Sequence, residues 1–272
     1  MCSRGKTVAS ELPGEVKERI LERMPTRDAA RCALLSTQWR DAWYRQGRLL
    51  FDRDFFRSLE NMSKAGNEDG LSVVSTINQI LMLRVGPVKK FTFHYSFSSK
   101  PRLKQSDLDS WCLFLSRNGV EELHLSAGYS APPEYFKVPS CLLSCKTIKQ
   151  LELDHFHFYL PENGACIFPG LTSSAFTWVE FWGNNKGLVF SMPKLEKLAF
   201  CLCFGTPKFV ASAPNLQSLS IQDCGGSAGS RFIRLNLSSI KTLSLNSSWV
   251  RTSFSHTVLS ADSQTCKYLA MN

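Results

Sequence analysis

Two hydrophobic periodicities divide the chain. Between about residues 12 and 46, apolar residues recur at three- and four-residue steps, the spacing of one face of an α-helix. After about residue 85, short segments place apolar residues at their first, fourth and sixth positions, as in a strand buried on one side. The pattern predicts a helical N-terminal module followed by a β-rich region.

Three short helices are predicted in the N-terminal module. Pro13 suits the first turn of a helix through "GEVKERILERM", and Pro25 stops that helix. Thr26 can cap a second helix, "RDAARCALL", and Ser36 can cap a third, "TQWRDAWYRQ", that ends before Gly47. So small a unit cannot enclose all its apolar side chains, and the remaining apolar face must be covered by the rest of the chain or by a partner.

The β-rich region contains a repeat with variable sequence. Seven segments share the apolar first, fourth and sixth positions: "VKKFTFHYS" from residue 88, "VEELHLSAG" from 120, "IKQLELDHF" from 148, "FTWVEFWGN" from 176, "LEKLAFCLC" from 195, "LQSLSIQDC" from 216 and "IKTLSLNSS" from 240. This is the strand signature of leucine-rich repeats, L-x-x-L-x-L-x-x-N/C, and Asn184, Cys203 and Cys224 fill its ninth position in three segments. At that turn a cysteine can hydrogen-bond to neighbouring backbone, so neither cysteine needs a metal or redox role.

These patterns together predict an α/β fold in which three helices precede an irregular right-handed solenoid with a parallel sheet. We expect the helical module at residues 8–50 and the solenoid at residues 85–272. A connecting segment at residues 51–84 is expected to contain a loop near residues 63–70 and a helix from residue 75.

Composition narrows the class of protein. A chain of 272 residues with 43% apolar content can bury a sizeable core. It contains no run of eighteen apolar residues, and its first thirteen residues lack the apolar stretch of a secretory signal. These features favour an intracellular protein, in the nucleus or the cytoplasm, without a membrane partner.

The charge distribution and the spacing of the cysteines indicate neither a nucleic-acid-binding surface nor a metal site. The net charge of +9 comes from basic residues that alternate with acidic ones, so a solvated mixed-charge surface is favoured over a nucleic-acid interface. The ten cysteines are spread along the chain without the spacing of zinc ligands, which predicts reduced thiols. No pattern calls for a cofactor.

Residues 11 to 43, "ELPGEVKERILERMPTRDAARCALLSTQWRDAW", resemble an F-box. The opening Leu-Pro, the Ile-Leu pair, the Met-Pro break, the Arg-Asp-Ala-Ala-Arg step, the Leu-Leu-Ser and the Trp-Arg-x-x-Trp ending stand in order at fixed spacing. The resemblance implies a three-helix module that docks onto the Skp adaptor of Skp-cullin-F-box ubiquitin ligases. Carried over by position, it implies these adaptor-binding residues: Leu12, Pro13, Ile20, Leu21, Met24, Pro25, Leu35, Trp39 and Trp43.

Some residues of this module have an alternative place in its interior. Val16 and Leu34 are expected to pack inside the module rather than contact a partner. Trp39 and Trp43 lie four residues apart on one face of the third helix, and each either meets the adaptor or supports the helices from behind.

The order of F-box and repeats resembles plant F-box proteins with leucine-rich repeats, of the FBD-associated type. Many members of that family continue into a C-terminal FBD domain. This chain ends at "KYLAMN", soon after its last clear repeat, so it is either a short member of the family or a shortened product.

A target-binding patch is expected on the sheet of the solenoid. The third, fifth and seventh positions of each segment project from its exposed face, which in the fourth segment places Trp178 and Trp182 on either side of Glu180. Glu152 and Asp154 of the preceding strand lie beside them, and exposed tryptophans are frequent at binding hot spots. We interpret this patch as a contact for basic residues of a recruited protein; the alternative is that the following segment covers both rings.

Other candidate chemistry is sparse. His155 and His157 continue a strand into its turn without a third metal ligand, so surface or turn histidines are favoured. The sequence lacks a Gly-rich phosphate loop, a nucleophile elbow and a His-Glu metal motif, which argues against an enzyme. It favours a substrate-recognition subunit of a cullin-RING ligase; the alternative is a repeat scaffold that does not act in a ubiquitin ligase.

Overall fold

The structure is a computed structural model. It describes residues 12–64, 73–95, 103–128, 135–159, 166–182, 188–205, 209–224, 233–235, 240–246 and 269–270. The chain forms two compact units, Met1–Val120 and Glu121–Asn272. None of the helices within these ranges has both the length and the apolar character needed to cross a membrane.

The first unit begins with the three predicted helices: α1 (Gly14–Glu22), α2 (Thr26–Cys32) and α3 (Thr37–Arg45). Ser36 caps α3 as predicted, since its hydroxyl accepts a hydrogen bond from the amide of Trp39 at 3.3 Å. The prediction that Thr26 caps α2 is wrong by one residue, because Pro25 takes the N-cap position and Thr26 begins the helix. Proline suits this boundary since it has no amide hydrogen to satisfy.

The remainder of the first unit consists of β1 (Arg48–Phe51), α4 (Arg53–Lys64), α5 (Val73–Met82), β2 (Lys90–His94) and α6 (Gln105–Arg117). The two strands pair in parallel. The core between them and the helices is aromatic: Phe93 lies 5.2 Å from Trp111 between ring centres, and Trp111 donates from its indole to Asn78 at 2.6 Å. The helix expected from residue 75 is α5; most of the expected loop near residues 63–70 lies outside the described residues.

Hydrogen bonds fix the first two helices to β1. The amide of Leu50 donates to the hydroxyl of Thr26 at 2.7 Å, and the amide of Gly47 donates to a carboxylate oxygen of Glu22 at 3.1 Å. The guanidinium of Arg48 donates to the carbonyl of Glu22 at 2.6 Å. Since two residues of the helices each bond to the strand, the three-helix module is held in one orientation within the first unit.

Arg84 makes a second connection, from the end of α5 to α3. Its Nη1 donates to the carbonyl of Trp43 at 2.6 Å, and its guanidinium carbon lies 4.2 Å from the centre of the Trp43 ring. Burial lowers the pKa of Arg84 to about 10, which leaves the side chain charged at neutral pH. The cation therefore satisfies carbonyl groups at the C-terminal end of α3, where the helix dipole also favours positive charge.

Replacing Arg84 by alanine is expected to lower the free energy of unfolding by about 2 kcal/mol, the loss typical of a charged hydrogen bond together with a ring contact. Urea unfolding followed by circular dichroism measures the loss. Arg45→Ala is the matched control, because Arg45 is exposed and the hydrogen bond from its guanidinium to the carbonyl of Asp41 is long at 3.4 Å. A loss in Arg84→Ala no larger than in the control would contradict the role of Arg84.

The second unit is built from parallel strands. In the described ranges its main sheet contains seven strands, in spatial order β3 (Glu122–Ser126), β5 (Gln150–Asp154), β7 (Ser173–Thr177), β10 (Lys197–Cys201), β13 (Ser218–Gln222), β15 (Thr242–Asn246) and β16 (Leu269–Ala270). The interior side carries buried leucines and phenylalanines such as Leu153, Phe200 and Leu219. The predicted helical module followed by a solenoid with a parallel sheet is confirmed.

Two smaller parallel sheets and one short helix complete the described part of this unit. The second sheet has the order β11 (Phe204–Gly205), β8 (Glu180–Trp182), β6 (Phe156–Tyr159) and β4 (Phe136–Lys137). The third sheet has the order β14 (Ile233–Leu235), β12 (Phe209–Ser212) and β9 (Leu188–Ser191), and the helix is α7 (Ser140–Leu143). Neither smaller sheet was predicted.

The predicted register of the fourth repeat is wrong. Strand β7 pairs Ser173 with Gln150 and with Lys197, so this repeat begins at Leu171 and not at Phe176. Its fourth position is Ser174, a buried serine where the signature expects an apolar residue, and this polar residue hid the correct register. The corrected main-sheet strands from β3 to β15 begin 28, 23, 24, 21 and 24 residues apart, which is more even than the predicted spacing.

Four strands of the main sheet are each followed directly by a residue in the left-handed backbone conformation. The φ angles of His155, Trp178, Leu202 and Asp223 are 61°, 51°, 53° and 47°. Their conformation costs about 1–2 kcal/mol for each L-residue, but the amide at this position bonds to the neighbouring strand, as from Trp178 to the carbonyl of Cys201 at 3.0 Å. The turn brings the next residue, the ninth of the repeat, into the interior; these residues are Phe156, Val179, Cys203 and Cys224.

The two ninth-position cysteines bond to backbone as predicted. The thiol of Cys203 donates to the carbonyl of Phe176 at 3.2 Å, and the thiol of Cys224 donates to the carbonyl of Gln222 at 3.4 Å. Burial raises the pKa of the Cys203 thiol far above its usual range, so this group stays protonated. Asn184, the third predicted residue of this kind, lies outside the described residues, and Val179 takes the ninth position of that repeat.

Candidate functional site

The three-helix module exposes apolar side chains at two places. Leu34 and Leu35 stand in the turn between α2 and α3 and are 86% and 71% exposed. Val16 and Ile20, one helical turn apart on α1, are also exposed. Single exposed apolar residues are common on protein surfaces and need no explanation. Two adjacent exposed leucines form an apolar patch, which makes them candidates for a partner contact.

The predicted adaptor-binding residues divide by burial. Pro13, Ile20, Pro25 and Leu35 are exposed, Leu12 and Met24 are half-buried, and Leu21, Trp39 and Trp43 are buried. Burial of both tryptophans favours the second alternative for each of them, support of the helices from behind. The residues available for direct contact are therefore the exposed and half-buried members of the set.

The expectation that Val16 and Leu34 pack inside the module is wrong. Leu34 follows the end of α2 at Cys32, so it no longer continues the buried face of that helix. On α1, the inward position belongs to Lys17, which is buried beside Leu21 and donates from its ammonium group to the side chain of Gln38 at 2.6 Å. Lysine stems commonly cover apolar surface in this way, and the sequence pattern does not show it.

A cleft of about 720 Å³ lies between α1 and α3. Charged and polar groups line much of it, among them Glu18, Gln38, Asp41 and Arg45. Its mixed charge gives no reason to expect an apolar ligand there, so the exposed leucines remain the better candidate for docking.

The second unit carries a different surface, on the second sheet. Register places His157 beside Glu180 and Tyr159 beside Trp182 on neighbouring strands β6 and β8. Their side chains alternate with buried phenylalanines and project from the same side of the sheet. We call this surface the aromatic face; its residues are Tyr135, Lys137, His155, His157, Tyr159, Trp178, Glu180 and Trp182.

The predicted target-binding patch is therefore placed on two sheets. Trp178 and Trp182 are exposed, as predicted, at 38% and 43%. However, they and Glu180 belong to the turn after β7 and to the second sheet, whereas Glu152 and Asp154 lie on β5 of the main sheet. The misplacement follows from the wrong register of the fourth repeat, whose outward-facing positions on the main sheet are the half-buried Ser173, Ala175 and Thr177.

Aromatic rings cover most of the aromatic face. Tyr159 and Trp182 are nearly parallel, with an interplanar angle of 16° and 6.1 Å between ring centres. His155 and Trp178 are parallel within 20° at 5.7 Å, and the Tyr135 ring lies 4.8 Å from that of His157. Such offset pairs fix the orientation of the exposed rings, so little side-chain entropy remains to be lost on binding.

Carboxylates lie among these rings. Nε2 of His157 is 2.9 Å from Oε2 of Glu180, and Nδ1 of His155 is 2.7 Å from Oδ1 of Asp154. The other oxygen of Asp154 accepts a hydrogen bond from the Ser126 hydroxyl at 2.7 Å. In the ranges the structure describes, no group of three histidine, cysteine or acidic side chains is placed to hold a metal ion.

Sequence reasoning missed the part that the two histidines play. His155 lies in the turn after β5, as predicted, whereas His157 lies in β6. The side chains of both are half-buried in ring contacts on the aromatic face. The alternation of His155, His157 and Tyr159 with the buried Phe156 and Phe158 is the signal that could have found this second strand.

Comparison with known proteins identifies the helical module. Residues 9–50 match the family model of the F-box domain. The chain is 36% identical over 156 residues to an F-box/FBD/LRR-repeat protein of Arabidopsis thaliana, which covers 56% of this chain and 34% of the relative. It is 28% identical over 220 residues to an F-box/LRR-repeat protein of the same plant, covering 77% of this chain and 46% of the relative.

A third relative, another F-box/FBD/LRR-repeat protein of Arabidopsis thaliana, is 24% identical over 243 residues, which covers 88% of this chain and 49% of the relative. The chain thus spans about a third to a half of the length of these curated relatives. No solved structure matches the chain significantly. The chain contains an F-box domain, and its resemblance to plant F-box proteins with leucine-rich repeats is confirmed.

Proposed function

We propose that this protein is the substrate-recognition subunit of a Skp-cullin-F-box ubiquitin ligase. The F-box domain docks onto a Skp-family adaptor, and the leucine-rich repeats recruit a target protein for ubiquitination. The observation that carries the proposal is the exposure of Leu34 and Leu35 on a module that matches the F-box family. We further propose that the protein acts inside the cell, in the nucleus or the cytoplasm, where such a ligase works.

The mechanism is proximity. A chain that binds both an adaptor and a target raises the effective concentration of the target's lysines near the charged ubiquitin carrier, so the chain itself needs no catalytic group. F-box proteins with leucine-rich repeats are in general adaptors rather than enzymes. Hydrogen bonds to β1 and from Arg84 hold the F-box helices together within the first unit, so that one module can present its exposed leucines to an adaptor.

The proposal requires that the wild-type chain binds a Skp-family adaptor directly. We expect the purified full chain to retain recombinant adaptor in a pull-down, and to co-elute with it in size-exclusion chromatography. A known F-box protein and an unrelated leucine-rich-repeat protein serve as positive and negative controls. Absence of binding, where the positive control binds, would overturn the proposal and leave a scaffold outside the ubiquitin ligase.

A further inference from the structure

The aromatic face attracts cations by the nature of its rings. The faces of indole and phenol rings carry partial negative charge and hold a cation within about 6 Å of the ring centre. One cation is already there: the ammonium nitrogen of Lys137 lies 5.1 Å from the centre of the Tyr159 ring. Trp178 and Trp182, which are both exposed, present further ring surface of the same kind.

A carboxylate stands beside Trp182. Glu180 lies two residues before Trp182 in β8, and a strand rises about 3.3 Å per residue, so their spacing along the strand is about 6.6 Å. Trp178 lies in the turn before this strand. His157 contacts one of its oxygens, Oε2. The other oxygen, Oε1, has no hydrogen-bond partner among the residues described for this unit, and the side chain is 22% exposed.

We propose that the aromatic face binds an arginine side chain of a partner protein. The guanidinium lies against the indole ring of Trp182 and donates hydrogen bonds to Oε1 of Glu180. Arginine suits this site better than lysine because its planar, weakly hydrated cation can stack on a ring and contact a carboxylate at the same time. Glu180 and the nearby Asp154 would repel the phosphates of a nucleic acid, which favours a protein as the partner.

This site differs from the outward-facing side of the main sheet, where β7 and β10 present Ala175 and Ala199. Small side chains there offer little area for a hot spot. The identification of the arginine-bearing partner as the target of a ubiquitin ligase rests on the proposed function. The binding of an arginine at the aromatic face is independent of the proposed function.

Selection of peptides tests the proposal. A displayed library of random twelve-residue peptides is enriched on the immobilised full chain, and the strongest binders are synthesised. We expect each to contain an arginine whose replacement by citrulline, which keeps the shape and removes the charge, weakens binding at least tenfold. Replacement by lysine should weaken binding several-fold. Binders without arginine, or binders indifferent to citrulline, would overturn the proposal.

Variants of the protein assign the site. Glu180→Gln keeps the shape of the side chain and should weaken the binding of arginine-containing peptides at least tenfold. Trp182→Leu should weaken it by a similar factor. Glu152→Gln is the matched control, because Glu152 is an exposed carboxylate on the main sheet that pairs with His124 at 3.3 Å. The affinity of this variant for the arginine peptides should stay within twofold of wild type. Thermal melting confirms that each variant is folded. A larger loss in Glu152→Gln than in Glu180→Gln would overturn the assignment to the aromatic face.

Two further measurements separate the possible failures. If polyuridylic acid binds the chain and Trp182→Leu abolishes that binding, the face is a nucleic-acid site and the proposal is wrong. Adaptor binding is measured on the same samples. Arginine-dependent binding without adaptor binding supports the arginine site while overturning the proposed function, and adaptor binding without arginine-dependent binding does the reverse.

Discussion

Replacing Leu34 and Leu35 together by serine is expected to lower the affinity of the chain for a Skp-family adaptor at least about 100-fold. Burial of one leucine in an interface contributes about 1.5–3 kcal/mol, and each 1.4 kcal/mol changes the dissociation constant tenfold. The fold should be unaffected, because side chains that are 86% and 71% exposed contribute little to the core. Isothermal titration calorimetry with purified adaptor measures the loss, and a thermal melt confirms the fold.

Met82 provides the matched control for that experiment. It lies at the end of α5 in the same unit and is 83% exposed, so Met82→Ser removes a comparable apolar side chain from a helix outside the F-box module. We expect this variant to bind the adaptor as wild type does. Equal binding by wild type and by the Leu34 and Leu35 double variant would show that the turn between α2 and α3 is not part of the docking surface.

Much of the F-box module could be read from the sequence because its helix ends are marked by residues with a local effect. Pro13, Pro25 and Ser36 act through backbone geometry and short-range hydrogen bonds, and each stands at the predicted boundary or within one residue of it. The direction of a side chain in a turn depends instead on long-range packing. This is why the exposure of Leu34 was mispredicted.

The repeats show the same division between local and long-range information. Six of the seven predicted segments coincide with strands, because one apolar side and one polar side impose a fixed pattern along each strand. The fourth failed at Ser174, where a buried serine breaks that pattern. The predicted segment instead joined Phe176, Val179 and Phe181, which are all buried. Phe176 belongs to β7, but Val179 follows the left-handed turn and Phe181 belongs to the second sheet, so the three residues imitated one strand.

Apart from β6, whose alternation could be recognised, the second sheet could not be predicted because its strands β4, β8 and β11 have only two or three residues. So short a segment holds at most two residues on each side, which is too few for a period to be recognised. Three strands of the second sheet, β6, β8 and β11, follow the left-handed residue at the eighth position, and two of the four such residues, Trp178 and Leu202, are of types that do not favour this conformation. The aromatic face is thus a product of repeat stacking rather than of local sequence.

Replacing Trp43 by alanine is expected to lower the free energy of unfolding by about 3–5 kcal/mol, the range for a buried tryptophan truncated to alanine. Trp43 is 4% exposed, and its ring lies against the guanidinium of Arg84. The substitution therefore leaves a cavity and removes the ring that partners a half-buried cation. Urea unfolding of the full chain, followed by circular dichroism, measures the change.

Trp182→Ala is the matched control, since the same atoms are removed from a side chain that is 43% exposed, and its cost should not exceed about 1 kcal/mol. The two stability changes, together with adaptor affinity, decide between the two roles open to Trp43. If Trp43 supports the helices, Trp43→Ala lowers the stability of the protein, and adaptor binding falls only in proportion to the fraction of folded protein. If Trp43→Ala instead kept wild-type stability and abolished adaptor binding, Trp43 would be a contact residue, and the module would have to open to present it.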